Sequence, residues 1–229
     1  MLQKTHRRPS ALIFDMDGLM IDSERLYFAA EREMAAQFGK ELRDEQLWPL
    51  MGRKPIESLR LLRGILGIDP PAEELLEWRN RLMLAKMRRE LGAMPGLHEI
   101  LEAFHGRLKL AVATGAQREF LDIALDTLRI RGYFAVLQTA DGLERGKPDP
   151  EIYRLACSRL GLPPAACIVL EDARNGVLAG RAAGCPVVAV PNDYTRGQDF
   201  SEADWVEPDL FAAARRIEKL LDARNGANQ

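Results

Sequence analysis

The sequence predicts an α/β protein: a doubly wound parallel β-sheet into which an α-helical domain is inserted. Two observations support this fold class. Short apolar runs of strand length recur along the chain and are joined by helical stretches, which is typical of parallel strands buried on both faces. Between residues 22 and 94, by contrast, the pattern is helical throughout. We therefore expect a sheet domain formed by residues 1–21 and 95–229 and a helical domain formed by residues 22–94.

The first predicted strand covers residues 11–14, and two acids follow it directly. Asp15 and Asp17 are two residues apart, so in an extended chain both side chains point to the same side. Gly18 comes next. An Asp-x-Asp-Gly sequence after a strand is also a common turn, so this motif alone does not establish a functional site.

The helical domain follows this loop. Apolar residues recur at spacings of three and four, as at Leu26 and Ala30, and glycines and prolines divide the domain into about four helices. Arg53 and Lys54 form a basic pair between two of these helices. Two interpretations remain open for the pair: contact with a substrate, or a solvated turn before the helix that begins at Pro55.

Four further strands are predicted in the second half of the chain, at residues 108–113, 134–139, 168–170 and 187–190. Polar residues follow three of them. Thr114 and Gly115 come after one strand, and Glu171 and Asp172 come after another. Asn192 and Asp193 follow the last one, where they could brace Lys147 or a metal shell or simply make a turn. In an open α/β sheet, ligands bind outside the carboxyl ends of the strands. If these strands are neighbours of the first one, their polar residues meet Asp15 at one edge of the sheet.

The carboxylates expected at this edge predict a cation site. Asp15, Asp17 and the pair Glu171 and Asp172 would repel one another unless a cation lay among them. A small set of oxygen ligands that leaves room for water favours Mg²⁺. A divalent cation beside a carboxylate suggests phosphoryl chemistry.

Lys147 lies in the sequence Gly-Lys-Pro-Asp-Pro. Because Pro148 can occupy the first turn of a helix and disfavours helical backbone at the residue before it, we expect Lys147 in a turn just before a helix. Its ammonium would keep a nearby carboxylate ionised and offset the charge of an incoming phosphate. Thr114 and Gly115 would offer a hydroxyl and backbone N–H groups to phosphate oxygens. Each motif alone has a structural explanation, but their joint occurrence favours a site.

Composition limits the partners of the protein. The 229 residues include 32 Lys and Arg against 34 Asp and Glu, and this near-neutral balance argues against nucleic acid or an anionic membrane as the main partner. No apolar stretch approaches the length needed to cross a bilayer. The three cysteines form no CxxC pair and fit a reducing environment. We expect a cytoplasmic protein, a monomer, that acts on a small molecule.

Asp15-x-Asp17-Gly18, Thr114, Lys147 and Glu171-Asp172 together resemble the four motifs of the haloacid dehalogenase superfamily. The helical insertion resembles the C1-type cap domain of that superfamily, and the resemblance implies a Rossmann-like core. It also implies that Asp15 is the nucleophile, that Asp17 is the general acid and base, and that Thr114 and Lys147 bind the phosphoryl group. Mg²⁺ would be held by the Asp15 carboxylate, the Asp17 backbone carbonyl and Asp172, with Glu171 in or next to this shell.

Several stretches are similar to pseudouridine-5'-phosphatase and β-phosphoglucomutase-like phosphatases. This similarity implies a Mg²⁺-dependent phosphatase that acts on a sugar phosphate or a nucleoside monophosphate through an aspartyl-phosphate. Gly18, Gly115, Arg53 and Lys54 are the residues expected to contact the substrate. Two alternatives remain: a phosphomutase, and a non-catalytic sugar-phosphate-binding protein with the same fold. The mutases carry an arginine and a histidine where this chain has Pro55 and Tyr27, which weighs against the first alternative.

Overall fold

The computed structural model describes residues 8–51, 53 and 55–222. The chain divides into two compact units. One unit is formed by the described residues up to Asp22 and from Gly92 onward, and it contains the sheet. The other unit, Ser23–Leu91, is helical. Among the described residues, no helix combines the length and the apolar character that a membrane crossing requires.

The described part of the sheet unit is built on six parallel strands in the order β3-β2-β1-β4-β5-β6. The strands are β1 (Ala11–Phe14), β2 (Lys109–Ala113), β3 (Val136–Gln138), β4 (Cys167–Glu171), β5 (Val187–Ala189) and β6 (Trp205–Val206). All four residues of β1 are buried, because this strand lies in the middle of the sheet. Burial on both faces explains why it appears in the sequence as a continuous apolar run without alternation.

The register of the sheet determines which residues meet at its carboxyl edge. Phe14 of β1 pairs with Val112 of β2 on one side and with Leu170 of β4 on the other. Residues that follow these three positions therefore emerge side by side. The strand order also reverses between β1 and β4, and such a switch point is where open α/β sheets form a ligand crevice.

The described residues of the helical unit form four α-helices, where about four were predicted: α1 (Ser23–Gln37), α2 (Asp44–Leu47), α3 (Pro55–Leu66) and α4 (Ala72–Glu90). Among its described residues, the interior is mainly apolar but also holds two buried serines, Ser23 and Ser58, and one ion pair. In this pair, Arg79 Nη1 lies 3.6 Å from Glu31 Oε1. The Arg79 guanidinium also lies over the ring of Tyr27, 5.0 Å from its centroid.

The remaining helices belong to the sheet unit: α5 (Leu97–Phe104), α6 (Arg118–Thr127), α7 (Glu151–Leu160), α8 (Arg174–Ala183) and α9 (Leu210–Asp222). The predicted α/β fold class is confirmed, and all five predicted strands are present. Strand β6 was not predicted, because it is a two-residue edge strand without an apolar run. The expected position of Pro148 in the first turn of a helix is wrong. Helix α7 begins only at Glu151, whose N–H is capped by Asp149 Oδ1 at 3.0 Å.

Candidate active site

Asp15 leaves the middle of the sheet and is held by backbone pairing. Its N–H donates to Leu170 O at 3.0 Å, so the direction of β1 is kept for one residue beyond the strand. The chain then turns sharply, with Met20 N–H donating to Met16 O at 2.8 Å. Asp15 is buried, whereas Asp17 is partly exposed. The loop therefore presents two carboxylates of different exposure at the carboxyl edge of the sheet.

Lys147 connects three strand ends through its ammonium. Its Nζ donates to Asp15 Oδ1 at 2.5 Å, to Glu171 Oε1 at 2.6 Å and to the backbone carbonyl of Ala113 at 3.2 Å. An ammonium has three N–H donors, so these three acceptors fix its position. Lys147 comes from the turn before α7, as the sequence predicted, although the helix begins later than expected.

Thr114 follows β2 and is completely buried. Its Oγ1 accepts a hydrogen bond from Ala116 N–H at 3.0 Å and donates to Asp17 Oδ2 at 3.5 Å. The threonine thus orders the backbone of its own loop and contacts the second acid of the first loop. Gly115 follows Thr114, and a Cβ added to it would meet no atom within 4 Å.

Asp172 is oriented by the loop that follows β5. Asn192 Nδ2 donates to Asp172 Oδ2 at 2.9 Å and to the backbone carbonyl of Gly18 at 3.0 Å. Gly18 has a φ of +76°, and a Cβ there would lie 2.4 Å from Asp172 Oδ2. Only glycine fits this turn, both because of its backbone conformation and because of the close carboxylate.

Burial and the neighbouring charges shift the pKa values of the residues in this cluster. Burial, opposed in part by Lys147, raises the pKa of Asp15 to about 8. Burial together with Glu171 and Asp15 raises the pKa of Asp172 well above its usual range. Burial alone would lower the pKa of Lys147, but Asp15 and Glu171 reverse this effect and raise it. One lysine does not compensate for all the acids around it.

Comparison with known proteins identifies the family. Residues 12–190 match the haloacid dehalogenase-like hydrolases. The chain belongs to this family. A phosphorylated carbohydrates phosphatase from Thermotoga maritima is 39% identical over 202 residues, covering 86% of this chain and 92% of the relative. Protein CbbY from Rhodobacter capsulatus is 36% identical over 219 residues, covering 89% of this chain and 95% of the relative.

The structure of this chain is also similar to a crystal structure of a CbbY mutant from Rhodobacter sphaeroides in complex with xylulose-1,5-bisphosphate. Its TM-score is 0.76 at 25% sequence identity, and the match covers 88% of this chain and 95% of that one. The predicted superfamily and enzyme class, a phosphatase among the haloacid dehalogenase-like hydrolases, are therefore confirmed.

The acids of this haloacid dehalogenase-like chain fit a divalent cation. Asp15, Glu171 and Asp172 each offer a carboxylate oxygen, and these oxygens all lie within 4.8 Å of one another. All three residues are buried, and hard oxygen donors of this kind favour Mg²⁺. Members of the family generally use this ion. A cation among these acids would also compensate the charge that Lys147 leaves unbalanced.

Arg53, one of the two residues predicted to contact the substrate from the helical domain, lies in the helical unit. Arg53 is exposed, and its Nε donates to Pro49 O at 2.7 Å, within the turn before α3. Lys54 lies outside the described residues. The other predicted residues, Asp15, Asp17, Gly18, Thr114, Gly115, Lys147, Glu171 and Asp172, are brought to the carboxyl edge of the sheet.

Sequence reasoning missed the role of Tyr153, whose buried hydroxyl contacts Glu171, and left that of Asn192 open between bracing the site and making a turn. The position of Asn192 after an apolar run was a usable signal, because it lies at the same sheet edge as the acids. Tyr153 gave no such signal. It lies inside a helical pattern, where a tyrosine is usually a packing residue.

Proposed function

We propose that this haloacid dehalogenase-like enzyme is a Mg²⁺-dependent phosphatase that hydrolyses a small phosphorylated metabolite through an aspartyl-phosphate. The contact between Asp15 Oδ1 and Lys147 Nζ, at 2.5 Å within a cluster of buried acids, carries this proposal. This contact places a carboxylate nucleophile beside a fixed positive charge that offsets the negative charge of the phosphate. Asp17, which contacts Thr114, supplies a second, more exposed carboxyl for proton transfer.

In the first step, a carboxylate oxygen of Asp15 attacks the phosphorus atom of the ester. A bond forms between this oxygen and phosphorus, the bond from phosphorus to the alcohol oxygen breaks, and Asp17 gives its proton to the departing oxygen. The Thr114 hydroxyl donates to an oxygen of the transferring group, and the Lys147 ammonium supplies a positive charge beside Asp15. Because both groups are held by the protein before the reaction, little reorganisation accompanies the development of charge.

In the second step, Asp17 takes a proton from a water molecule, whose oxygen attacks the phosphorus atom. The bond between phosphorus and the Asp15 oxygen breaks, which releases inorganic phosphate and restores the carboxylate. Asp15, the backbone carbonyl of Asp17 and Asp172 would hold Mg²⁺, with Glu171 in or next to its shell. When bound there, the ion would supply positive charge that keeps the nucleophile ionised and reduces its repulsion from the phosphate.

We further propose that residues 22–94 act as a cap that selects the substrate, and that Arg53 and Lys54 contact its non-reacting part. An exposed arginine can form paired hydrogen bonds with a carboxylate or a phosphate. The names of the relatives support a phosphorylated carbohydrate as the substrate class, since one is a phosphorylated carbohydrates phosphatase and another was crystallised with a sugar bisphosphate. A nucleoside monophosphate is the other class that we infer from the sequence.

The test measures phosphate release from a panel of sugar phosphates, nucleoside monophosphates including pseudouridine monophosphate, phosphoglycolate and p-nitrophenyl phosphate, with Mg²⁺ and with EDTA. We expect Mg²⁺-dependent hydrolysis that Asp15→Asn abolishes without changing the circular dichroism spectrum. The matched control is Asp199→Asn, because that side chain is 62% exposed. Full activity of Asp15→Asn would refute the proposal. Conversion of β-glucose 1-phosphate into glucose 6-phosphate without phosphate release would identify a mutase instead.

A further inference from the structure

Tyr153 is a completely buried tyrosine near the start of the sheet unit's α7. Its hydroxyl donates to Glu171 Oε1 at 2.5 Å. A buried hydroxyl needs such a partner, but a buried tyrosine can find one in any nearby carbonyl. Here the partner is a carboxylate of the proposed active site. This choice of acceptor links the interior of α7 to the carboxyl edge of the sheet.

Glu171 is held on both of its oxygens. Oε1 accepts from Tyr153 Oη and from Lys147 Nζ, the second at 2.6 Å, and Oε2 accepts from Ala173 N–H at 3.4 Å. The carboxylate also lies against Gly176, since a Cβ there would come within 1.7 Å of Oε1. Glu171 therefore occupies a fitted position in which one oxygen serves the tyrosine and the lysine together.

The position of the lysine depends on this arrangement. Of the three acceptors around Lys147 Nζ, Ala113 O is a fixed backbone atom, and Asp15 Oδ1 belongs to the proposed nucleophile. Glu171 Oε1 is the third, and its place is set by another side chain, Tyr153. The Tyr153 ring also lies beside the ammonium, with its centroid 5.0 Å from Nζ. The tyrosine thus limits the movement of the lysine through both its hydroxyl and its ring.

We propose that Tyr153 is a positioning residue for phosphoryl transfer: its hydroxyl holds Glu171 so that the Lys147 ammonium stays beside Asp15. This inference rests on the proposed function. Without the hydroxyl, Glu171 Oε1 loses one of its two donors, so the third acceptor of the lysine is held less firmly beside Nζ. Donors held in place before the reaction act most strongly on the charge that develops in the transition state. Loss of the hydroxyl should therefore weaken transition-state binding more than substrate binding.

The test variant is Tyr153→Phe, which keeps the ring and removes only the hydroxyl. We measure kcat and KM for p-nitrophenyl phosphate with Mg²⁺, and the inhibition constant of vanadate, which mimics the transferring phosphoryl group. We expect kcat to fall roughly tenfold and the vanadate constant to rise by a similar factor, with KM changing less than about twofold. The ratio of KM to the vanadate constant does not depend on how much of the preparation is folded. A loss of stability therefore cannot imitate this result.

The matched control is Tyr133→Phe, since Tyr133 is partly exposed and its ring packs on His105. This variant should keep the wild-type ratio. An unchanged ratio in Tyr153→Phe, whether its kcat is normal or reduced, would overturn the inference and leave Tyr153 as a packing residue. Failure of this inference and failure of the proposed function give different results. If the proposed function is wrong, the wild-type protein itself lacks Mg²⁺-dependent hydrolysis, whereas failure of this inference alone leaves it active.

Discussion

Asn192 and Asp172 meet across the loops that follow two neighbouring strands, β4 and β5. The amide donates to one carboxylate oxygen and also to the backbone of the first loop at Gly18. Such a partner leaves the other oxygen of the aspartate available to a cation. Loss of a partner of this kind typically lowers metal affinity or activity by about 10- to 100-fold.

Asn192→Ala should therefore weaken Mg²⁺ binding roughly tenfold, because Asp172 loses the group that orients it. Isothermal titration of the protein with Mg²⁺ measures this change without any substrate. The neighbouring Asp193→Asn is the control, since that side chain is 83% exposed and should leave the affinity near the wild-type value. Equal affinities of Asn192→Ala and the wild type would show that Asn192 makes only a turn.

Glu31 is the acid in the interior of the helical unit. Burial raises its pKa from 4.5 to about 7, although Arg79 and Arg32 oppose the shift. The ion pair with Arg79 is loose at 3.6 Å, and Glu31 Oε2 and Arg79 Nε lack hydrogen-bond partners among the described residues, so pairing does not repay the loss of solvation. The folded unit accordingly holds a proton on Glu31 more tightly than the unfolded chain does.

This linkage makes stability depend on pH in a defined direction. The stabilisation that comes from the raised pKa of Glu31 is fully present below pH 4.5 and is lost as the pH rises through about 7. Its upper size is about 3 kcal/mol of unfolding free energy. We expect the melting temperature of Glu31→Gln to fall less steeply between these pH values than that of the wild type. Glu33→Gln, at a side chain 46% exposed, is the control. Identical slopes for Glu31→Gln and the wild type would contradict the assignment.

At the scale of elements, helix α8 approaches β4 so closely that its first turn has room only for glycine. Gly176 is buried, and its missing side chain is the space that Glu171 fills. The helix therefore does more than cover the sheet. It sets the place of the carboxylate that contacts Lys147.

Gly176→Ala should lower both the melting temperature and kcat, because a Cβ 1.7 Å from Glu171 Oε1 forces the carboxylate or the helix to move. Gly64→Ala is the matched control, since it lies within α3 and a Cβ added there would meet no atom within 4 Å. That substitution should raise stability by about 0.5–1 kcal/mol. Thermal unfolding and p-nitrophenyl phosphate kinetics of both variants provide the comparison. Wild-type behaviour of Gly176→Ala would refute the close packing.

The elements also show what the sequence could and could not predict. Buried parallel strands appear as apolar runs, so β1 to β5 and the polar residues after them were found. Contacts that depend on three-dimensional packing were not. The hydrogen bond from Tyr153 to Glu171 joins positions 18 residues apart on different elements, and no local sequence pattern predicts it. The start of α7 was predicted too early, because Pro148 and Pro150 are both compatible with a first helical turn. Only the hydrogen bond from Glu151 N–H to Asp149 Oδ1 distinguishes the true start from the earlier one.

At the scale of the whole molecule, the chain leaves the sheet unit and returns to it at adjacent points. Ile21 pairs with Ala93 in an antiparallel bridge, and Met94 N–H donates to Met20 O at 2.9 Å. Asp22 N–H also donates to Gly92 O at 3.4 Å. The ends of the inserted segment are therefore held together by the sheet unit itself, which makes the unit a candidate for independent folding.

Replacing residues 23–91 with a short Gly-Ser linker should leave a folded sheet unit, because the bridge between Ile21 and Ala93 holds the two ends that the linker joins next to each other. We expect this variant to melt cooperatively and to retain slow, Asp15-dependent hydrolysis of p-nitrophenyl phosphate. Its preference among sugar phosphates and nucleoside monophosphates should be lost if the helical unit selects the substrate. An unfolded product, or an unchanged substrate preference, would contradict this division of roles.

The central claim is that Asp15 carries the phosphoryl group during the reaction. Asp17→Asn tests it most directly, with p-nitrophenyl phosphate as substrate, because p-nitrophenolate leaves without needing a proton while the second step still needs a base. Acid quenching at short times, digestion and mass spectrometry then locate the phosphoryl group. If Asp15 is the nucleophile, the peptide that contains it gains the mass of one phosphoryl group. Release of p-nitrophenol with no phosphoryl group on Asp15 would contradict it.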